Sequence, residues 1–394
     1  MTRDDDPFPS LDSFGTSSGG FSGNAGGAAS GGSSWGDSDS SVWDPSQARR
    51  GYTAHLPALS DLEMARRAQT PLDARRDAAL DLPLSALSRQ RPGGMSGLSP
   101  AALALTARAE TTDYLTVSYD QREPGFVELY DALITPQWSV PFGRLLLSLF
   151  LTLPRDRGWM ALDVACGCGY PTLELARYLG QDCDLGGIDI WEEAILLARR
   201  KANDDWLRNV TFLTADVTDS GLPDGTLDTI TCNLGLPSFA DPPAALVGIC
   251  RLLRPGGLLL LTTPLQSTLR EFLDIYYLTL RDLKLGEYQR ILSQRIAATP
   301  TRDAVRRQLE AAGFEVQRMV TEGHTLTFPT PRAFLTSPMI QHLYLTEWRD
   351  IIPDLTIRRL VFNEVERRLG ARAEANGGEL AMTVPMLCVS AVRA

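Results

Sequence analysis

From residue 160 onward, short apolar segments alternate with amphipathic segments, and this alternation limits the possible fold more than any other feature. Strands that alternate with helical patterns are typical of β-α units around a mostly parallel sheet. The first five predicted strands are apolar throughout, as expected where helices cover both faces of a sheet. The seven predicted strands are WMALDVA, CDLGGIDI, VTFLTADV, LDTITCNLG, GLLLLTTP, FEVQRMVTEG and ELAMTVPMLCVSAVRA. We expect an α/β fold with a doubly wound sheet whose last strand is antiparallel and lies at the edge.

Two stretches interrupt the alternation and are predicted to be helical insertions. The first, at about 265–299, follows the fifth strand and predicts one or two helices. The second, at 324–378, follows the sixth strand and is rich in helix-forming residues. Both stretches carry many Leu, Tyr, Phe and Trp residues, so we expect them to form an apolar roof over the site.

The region before residue 160 divides into two parts. Residues 1–98 begin with Gly, Ser and Asp and continue with repeated prolines, a composition that favours disorder or at most short helices. Residues 99–159 are predicted to be helical and to form a lid, and residues 160–394 to form the main domain. The apolar run LLLSLFLTL at 145–153 is too short to span a bilayer and predicts a buried helix.

Charge and cysteine content restrict the partners and the compartment. The net charge of −10 disfavours a nucleic-acid-binding surface, because such surfaces depend on Lys and Arg. The acidic start MTRDDDPFPS lacks the order of an export signal. Six cysteines in a chain of this length, without such a signal, do not predict a disulfide framework. We therefore expect a cytoplasmic protein without a membrane span; the sequence leaves its oligomeric state open.

The stretch ALDVACGCGYPTLELARYLG, residues 161–180, predicts a ligand-binding turn between the first strand and its helix. Cys166 and Cys168 have no second ligand pair nearby, so no metal site is expected and the thiols should fill small gaps. Gly167 and Gly169 would let the backbone approach a ligand at the helix N-terminus. A dinucleotide-binding loop needs a third glycine, where this chain has Thr172, which weakens a prediction of NAD binding.

The run from Asp163 to Gly169 resembles the D/E-x-G-x-G-x-G turn of class I S-adenosylmethionine-dependent methyltransferases, with Ala165 in place of the first glycine. The region LDTITCNLGLPSFADPPAALVGICRLLRPGGLLLLTTP resembles the branch that includes the ubiquinone/menaquinone C-methyltransferases. The resemblance covers about 160–264 firmly and 300–323 loosely. It implies a Rossmann-like fold, S-adenosyl-L-methionine as cofactor and methyl transfer as the activity.

The resemblance also implies a set of site residues. Asp189 ends the second strand, near the roughly 20-residue interval at which an acidic group meets a ribose, although it could instead cap the next helix. In the family, the acid of the third motif contacts the adenine amino group, and the residues after the fourth strand lie beside the methionine moiety. The resulting cofactor-binding residues are Asp163, Ala165, Gly167, Gly169, Asp189, Ile190, Asp216, Val217, Asn233 and Leu234. Tyr130 and Asp131, in ELYDALITPQW, are predicted lid residues, although Tyr130 could equally be a packed aromatic residue.

Methyl transfer from a sulfonium is an in-line displacement in which the protein mainly positions the reactants. A general base is needed only if the acceptor must lose a proton, and the candidates are His324, Tyr119, His342 and Asp241. His324 is expected to follow the sixth strand, and Asp241 is better explained as a helix cap. The sequence at 233–236 lacks the N/D-P-P-Y/F pattern of enzymes that methylate nucleic-acid bases. We expect a small, partly hydrophobic acceptor. The alternatives are an inactive S-adenosylmethionine-binding protein and a nucleotide-dependent oxidoreductase.

Overall fold

The computed structural model describes residues 98–394 apart from residues 112, 117, 152–157 and 182. The disorder predicted for residues 1–98 therefore falls, except for Leu98, outside the described residues. The strands are β1 Met160–Val164, β2 Asp184–Asp189, β3 Val210–Thr214, β4 Leu227–Asn233, β5 Leu253–Pro264, β6 Phe314–Phe328 and β7 Leu380–Arg393. The helices before β5 are α1 Pro100–Thr111, α2 (126–134, ending in a π-helical turn), α3 Ser139–Phe150, α4 Thr172–Leu179, α5 Glu192–Asp204 and α6 Pro242–Leu252. Those after β5 are α7 Arg270–Asp282, α8 Gly286–Ala298, α9 Arg302–Ala311, α10 Pro331–Thr336, α11 (338–349, three consecutive helical turns) and α12 Leu355–Ala375.

The seven strands form one sheet in the order β3-β2-β1-β4-β5-β7-β6. Strands β1 to β5 are parallel, and β7 is antiparallel to both β5 and β6. The predicted α/β, Rossmann-like fold with an antiparallel last strand is confirmed. The chain winds outward from β1 to β3 and then crosses to β4 on the other side of β1. This crossing creates a topological switch point between β1 and β4, where ligands bind in open α/β sheets.

The predicted edge position of the last strand is wrong, because β7 lies between β5 and β6. The burial of the two strands explains the order. β6 alternates buried and solvent-facing side chains along most of its length, a pattern that suits an edge strand. β7 has an unbroken run of buried residues from Met386 through Leu387 to Val389, which suits an interior position.

Both predicted helical insertions are present. The first consists of α7 and α8, and the second of α10 to α12. Trp348 fixes α11 to the first insertion, because its ring stacks on Phe272 with centroids 4.2 Å apart and its carbonyl accepts a hydrogen bond of 3.0 Å from the Tyr276 hydroxyl. β6 extends to Phe328, beyond the predicted strand, so the second insertion begins later than expected.

The run predicted as a buried helix lies largely in α3, whose residues Phe142, Leu146 and Phe150 are at most 1% exposed. α3 packs against β4, β5 and β7. None of the helices in the described part of the chain is long and apolar enough to cross a membrane.

Candidate active site

The loop after β1 contains three residues in the left-handed region of backbone space. Ala165, Gly167 and Gly169 have φ angles of 58°, 50° and 90°. A Cβ at Gly167 would meet no atom within 4 Å, whereas one at Gly169 would lie 3.2 Å from the Ala198 side chain of α5. Gly167 therefore leaves open space for a ligand beside the backbone, and Gly169 lets the loop pack closely against α5.

Asp163, predicted to bind the cofactor, does not line the cavity described below. Its side chain is fully buried behind the loop, and its two carboxylate oxygens accept hydrogen bonds from Thr172 Oγ1 at 2.5 Å and Thr231 Oγ1 at 2.6 Å. Burial raises the pKa of Asp163 to about 6, against the opposing effect of the two hydroxyl groups. Asp163 thus ties β1 to α4 and β4 and supports the loop from behind. The position of Asp163 contradicts the prediction that this residue contacts a cofactor directly.

Asp189 lies at the end of β2 and joins that strand to the loop. Its Oδ2 accepts a hydrogen bond of 2.8 Å from the Gly167 N–H, and its Oδ1 accepts one of 2.9 Å from the Trp191 N–H. The N-cap of α5 is Trp191, so the alternative prediction of Asp189 as the helix cap is wrong. Burial raises the pKa of Asp189, and backbone N–H donors oppose this shift. The Ile190 N–H is a third backbone donor to this carboxylate, which keeps acceptor capacity for one further donor, and Asp189 and Ile190 both line the cavity.

The residues after β3 present a carboxylate to the same cavity. Asp216 Oδ1 accepts hydrogen bonds from the Thr218 N–H at 2.8 Å and the Thr218 hydroxyl at 2.7 Å. These bonds lower the pKa of Asp216, which keeps it ionised. Its Oδ2 accepts no hydrogen bond from another described residue and is free to accept one from a ligand. Val217, which is buried, closes the wall beside it.

Asn233 and Leu234 form the end of β4. Asn233 Nδ2 donates to the Ser139 carbonyl at 3.1 Å, and its Oδ1 accepts from Thr262 Oγ1 at 2.7 Å. Leu234 has a φ of 65°, which turns the chain sharply away from the sheet. Both residues line the cavity, on the β4 side of the switch point.

These loops enclose one end of a cavity of about 1660 Å³. The other end is lined by α7, α8, α9 and α11, and its apolar side chains include Leu273, Leu292, Ile296 and Trp348. A pocket for one drug-sized ligand measures roughly 300–1,000 Å³. The cavity therefore has room for two molecules side by side, one at the strand ends and one under the insertion helices.

The two predicted lid residues have different positions. Tyr130 lines the cavity, and its ring makes an edge contact with Trp191 at a centroid distance of 5.3 Å. Asp131 does not line it. The carboxylate of Asp131 instead accepts hydrogen bonds of 2.8 and 3.0 Å from Lys201 Nζ, which also donates to the Cys168 carbonyl at 2.9 Å.

Three of the four candidate bases lie outside a catalytic position. His324 is inside β6 rather than after it and does not line the cavity, which corrects the prediction. The Tyr119 hydroxyl donates to the Leu105 carbonyl at 3.4 Å, and burial raises the pKa of Tyr119 to about 12. Asp241 is the N-cap of α6, as expected, and accepts from the Ala244 N–H at 3.0 Å. Asp241 and His342 both line the cavity, and of the two only His342, on α11, is not engaged as a helix cap.

The cysteines do not form a reactive or metal-binding group. All six are buried and free of disulfide bonds. Burial raises the pKa of the Cys166 and Cys168 thiols well above the usual range. Within the described residues, no cluster of three or more His, Cys, Asp or Glu side chains could hold a metal ion.

Sequence reasoning missed most of the aromatic wall of the cavity. Trp138, Trp191 and Tyr344 all line it, yet none received a role. Trp191 directly follows the acidic strand end and could have been found from that position. Trp138 and Tyr344 lie in or beside irregular helical turns, where no periodic pattern marks the buried face.

Comparisons with known proteins agree with this geometry. The family described as "Methyltransferase domain" matches residues 155–313. The ubiquinone/menaquinone biosynthesis C-methyltransferase UbiE of Idiomarina loihiensis is 30% identical over 171 residues, which cover 40% of this chain and 67% of that protein. Nocamycin O-methyltransferase of Saccharothrix syringae is 31% identical over 277 residues, which cover 66% of this chain and 94% of that protein.

Among solved structures, a SAM-dependent methyltransferase from Aquifex aeolicus shares 21% identity with a TM-score of 0.37 and covers 51% of this chain and 92% of its own. The matched region, residues 155–313, contains the glycine loop and the acidic strand ends described above. The chain belongs to the class I S-adenosylmethionine-dependent methyltransferases.

Proposed function

We propose that the protein transfers a methyl group from S-adenosylmethionine to an oxygen of a small, partly hydrophobic acceptor. The observation that carries this proposal is the cavity of about 1660 Å³, which joins the loop and acidic strand ends of a cofactor site to an apolar chamber under the insertion helices. The two ends adjoin, as an in-line displacement between two bound molecules requires.

The strand-end residues fit the cofactor group by group. The open space at Gly167 accommodates a ligand close to the backbone. The carboxylate of Asp189 would accept a hydrogen bond from a ribose hydroxyl, and the free Oδ2 of Asp216 suits an adenine amino group. Ala165, Ile190, Val217, Asn233 and Leu234 would supply the remaining walls. When bound, the sulfonium supplies an already activated methyl group, so these residues need only hold it in place and exclude water.

Methylation of oxygen rather than carbon is supported by the extent of the relatives. The similarity to the C-methyltransferase covers 40% of this chain, whereas that to nocamycin O-methyltransferase covers 66%. An alignment of 277 residues extends well outside the matched domain at 155–313. The acceptor chamber is the part of the molecule that chooses the substrate, so the more extensive relative is the better guide to the acceptor.

The proposal is tested by calorimetric titration with S-adenosylhomocysteine, with NADH as the control ligand. We expect micromolar binding of S-adenosylhomocysteine and none of NADH, because the position of a third dinucleotide-loop glycine holds Thr172, whose hydroxyl binds Asp163. Asp189→Ala should weaken binding roughly 10- to 100-fold, since charge-assisted hydrogen bonds contribute about 1.5–3 kcal/mol.

Unchanged affinity in Asp189→Ala would remove the ribose assignment. Binding of the cofactor with no release of S-adenosylhomocysteine in the presence of any hydroxyl-bearing acceptor would instead identify an inactive binding protein.

A further inference from the structure

We propose that His342 is the catalytic base, and that it takes the proton from an aromatic hydroxyl group of the acceptor as that oxygen is methylated. This inference rests on the proposed function and adds the class of acceptor and the residue that activates it.

His342 lies on the part of α11 that borders two cavities. It lines the main cavity and also a second one of about 600 Å³, whose opposite wall is formed by residues 118–122. Its ring packs on Phe126 and Tyr130 of α2, with centroid distances of 4.8 and 5.8 Å. The second cavity gives His342 a route to solvent that does not pass through the cofactor end.

The ring contacts place His342 close to the strand ends. The ring of Tyr130 contacts the rings of both His342 and Trp191, and the backbone N–H of Trp191 donates a hydrogen bond to Asp189. A single aromatic layer therefore separates His342 from the wall at the end of β2. The proposed acceptor oxygen lies at the junction between the two ends of the cavity that His342 lines.

The acceptor chamber favours a flat aromatic molecule. Tyr344 stacks with Trp348 at a centroid distance of 5.4 Å and meets Trp138 edge-on at 5.6 Å. All three rings line the main cavity, and Leu292 and Ile296 of α8 lie across from α11. Aromatic rings pack well on such surfaces through offset and edge contacts.

The chemistry of His342 fits a weakly acidic hydroxyl group. Neither ring nitrogen hydrogen-bonds to another described residue, and burial lowers the pKa of His342 to about 4, so the imidazole is neutral near pH 7. An aromatic hydroxyl is more acidic than an alcohol, and its acidity rises further as its oxygen bonds to the methyl carbon, so a neutral imidazole can take the proton in the same step.

The proposed step transfers a methyl group to the acceptor and a proton from the acceptor to His342. The acceptor oxygen forms a bond to the methyl carbon while the bond from that carbon to sulfur breaks, and the sulfur loses its positive charge. The hydroxyl proton passes to a nitrogen of His342 and then to water through the second cavity.

Other titratable groups near the junction are less suited to this role. Burial raises the pKa of Tyr130 and of Cys168, so both remain protonated. Glu347, one turn along α11, is exposed to solvent. Asp120 and Arg122 line only the second cavity and form an ion pair with each other at 2.7 Å.

The experiment measures release of S-adenosylhomocysteine by the full chain with 2-naphthol, 7-hydroxycoumarin and 4-nitrophenol as acceptors. At mildly alkaline pH the hydroxyl of 2-naphthol is protonated, whereas that of 4-nitrophenol is largely ionised. His342→Phe should lower kcat with 2-naphthol by about 100-fold or more, the usual contribution of a general base. The loss should shrink with 4-nitrophenol, which needs no base. Binding of S-adenosylhomocysteine and the melting temperature report on folding, and His342→Gln replaces the Phe variant if that variant does not fold.

The same change at His324, the rival histidine inside β6, should leave all rates unchanged. The proposal is overturned if His342→Phe keeps the wild-type rate with 2-naphthol. It is also overturned if the variant loses the same factor with 2-naphthol and with 4-nitrophenol, because a loss that does not depend on acceptor acidity indicates a structural defect. Turnover of none of the three acceptors by a wild-type protein that binds S-adenosylhomocysteine would also overturn it. A failure to bind S-adenosylhomocysteine would count against the proposed function instead.

Discussion

The carboxylate of Asp163 holds the glycine loop in place without reaching the ligand cavity. Its two acceptor oxygens are satisfied by the hydroxyls of Thr172 on α4 and Thr231 on β4. A buried carboxylate with two donors is tolerated because hydrogen bonds offset part of its desolvation. The sequence pattern marks this acid as part of the motif, but only the surrounding threonines reveal that its role is structural.

The raised pKa of Asp163 makes a prediction about stability and pH. Its carboxyl titrates near 3.9 in an unfolded chain and at about 6 in the folded protein. Between these two pH values the Asp163 carboxyl is protonated in the folded protein and ionised in the unfolded chain. The stability that Asp163 contributes is therefore full below about pH 4 and is lost as the pH rises through 6. A difference of about two pKa units corresponds to roughly 3 kcal/mol.

Chemical denaturation of the wild type and of Asp163→Asn between pH 4.5 and 7.5 measures this effect. The difference in unfolding free energy between the two proteins should change across this range by about 2 kcal/mol. Thr231→Val removes a hydrogen bond that lowers the pKa, so it should move the midpoint of the change to higher pH. Identical pH dependence in the wild type and in Asp163→Asn would show that Asp163 does not titrate as described.

At the scale of elements, Lys201 connects three parts of the site. It projects from α5, pairs with Asp131 of α2 and donates to the Cys168 carbonyl of the glycine loop. Both charged side chains are about three-quarters buried, with 24% and 23% of their surfaces exposed. The ion pair therefore fixes the helix that carries Tyr130 against the loop.

Lys201→Met should loosen this connection and weaken binding of S-adenosylhomocysteine by roughly 10-fold, because it leaves the Asp131 carboxylate unpaired and partly buried. Calorimetry gives the affinity, and hydrogen exchange of residues 126–134 should become faster. The double variant with Asp131→Asn should recover part of the loss. Arg122→Ala, which breaks an exposed ion pair with Asp120, is the matched control and should change neither quantity.

The strands were more predictable than the insertions, for physical reasons. Each strand of the parallel core is apolar and bounded by turn residues, so its existence follows from local pattern. The position of β7 inside the sheet depends on the burial of β6 beside it, which is a tertiary property. The approach of His342 to Tyr130 joins residues of α11 and α2, and no local spacing in the sequence connects them.

At the scale of the whole molecule, the site lies where the chain reverses direction across β1. The loop after β1 and the end of β4 meet at this point, and the residues of both that we propose for the cofactor line one cavity there. The acceptor end is built from α8 and α11, which the sheet does not specify. The same type of sheet can thus carry different insertion helices, and so a different acceptor chamber, without any change at the strand ends.

The boundary between the N-terminal region and the folded part leads to the last prediction. We propose that the domain begins near Ser99, whose N–H donates to Glu128 at 3.0 Å, and that α1 belongs to it because Ala102 and Leu105 are buried. Deleting residues 1–95 should leave the melting temperature and the affinity for S-adenosylhomocysteine unchanged. Deleting residues 1–112 also removes α1 and the ion pair of Arg108 with Glu123, and should lower the melting temperature by several degrees, at about 2–4 °C for each kcal/mol lost. A large loss from the shorter deletion would place the boundary earlier in the chain.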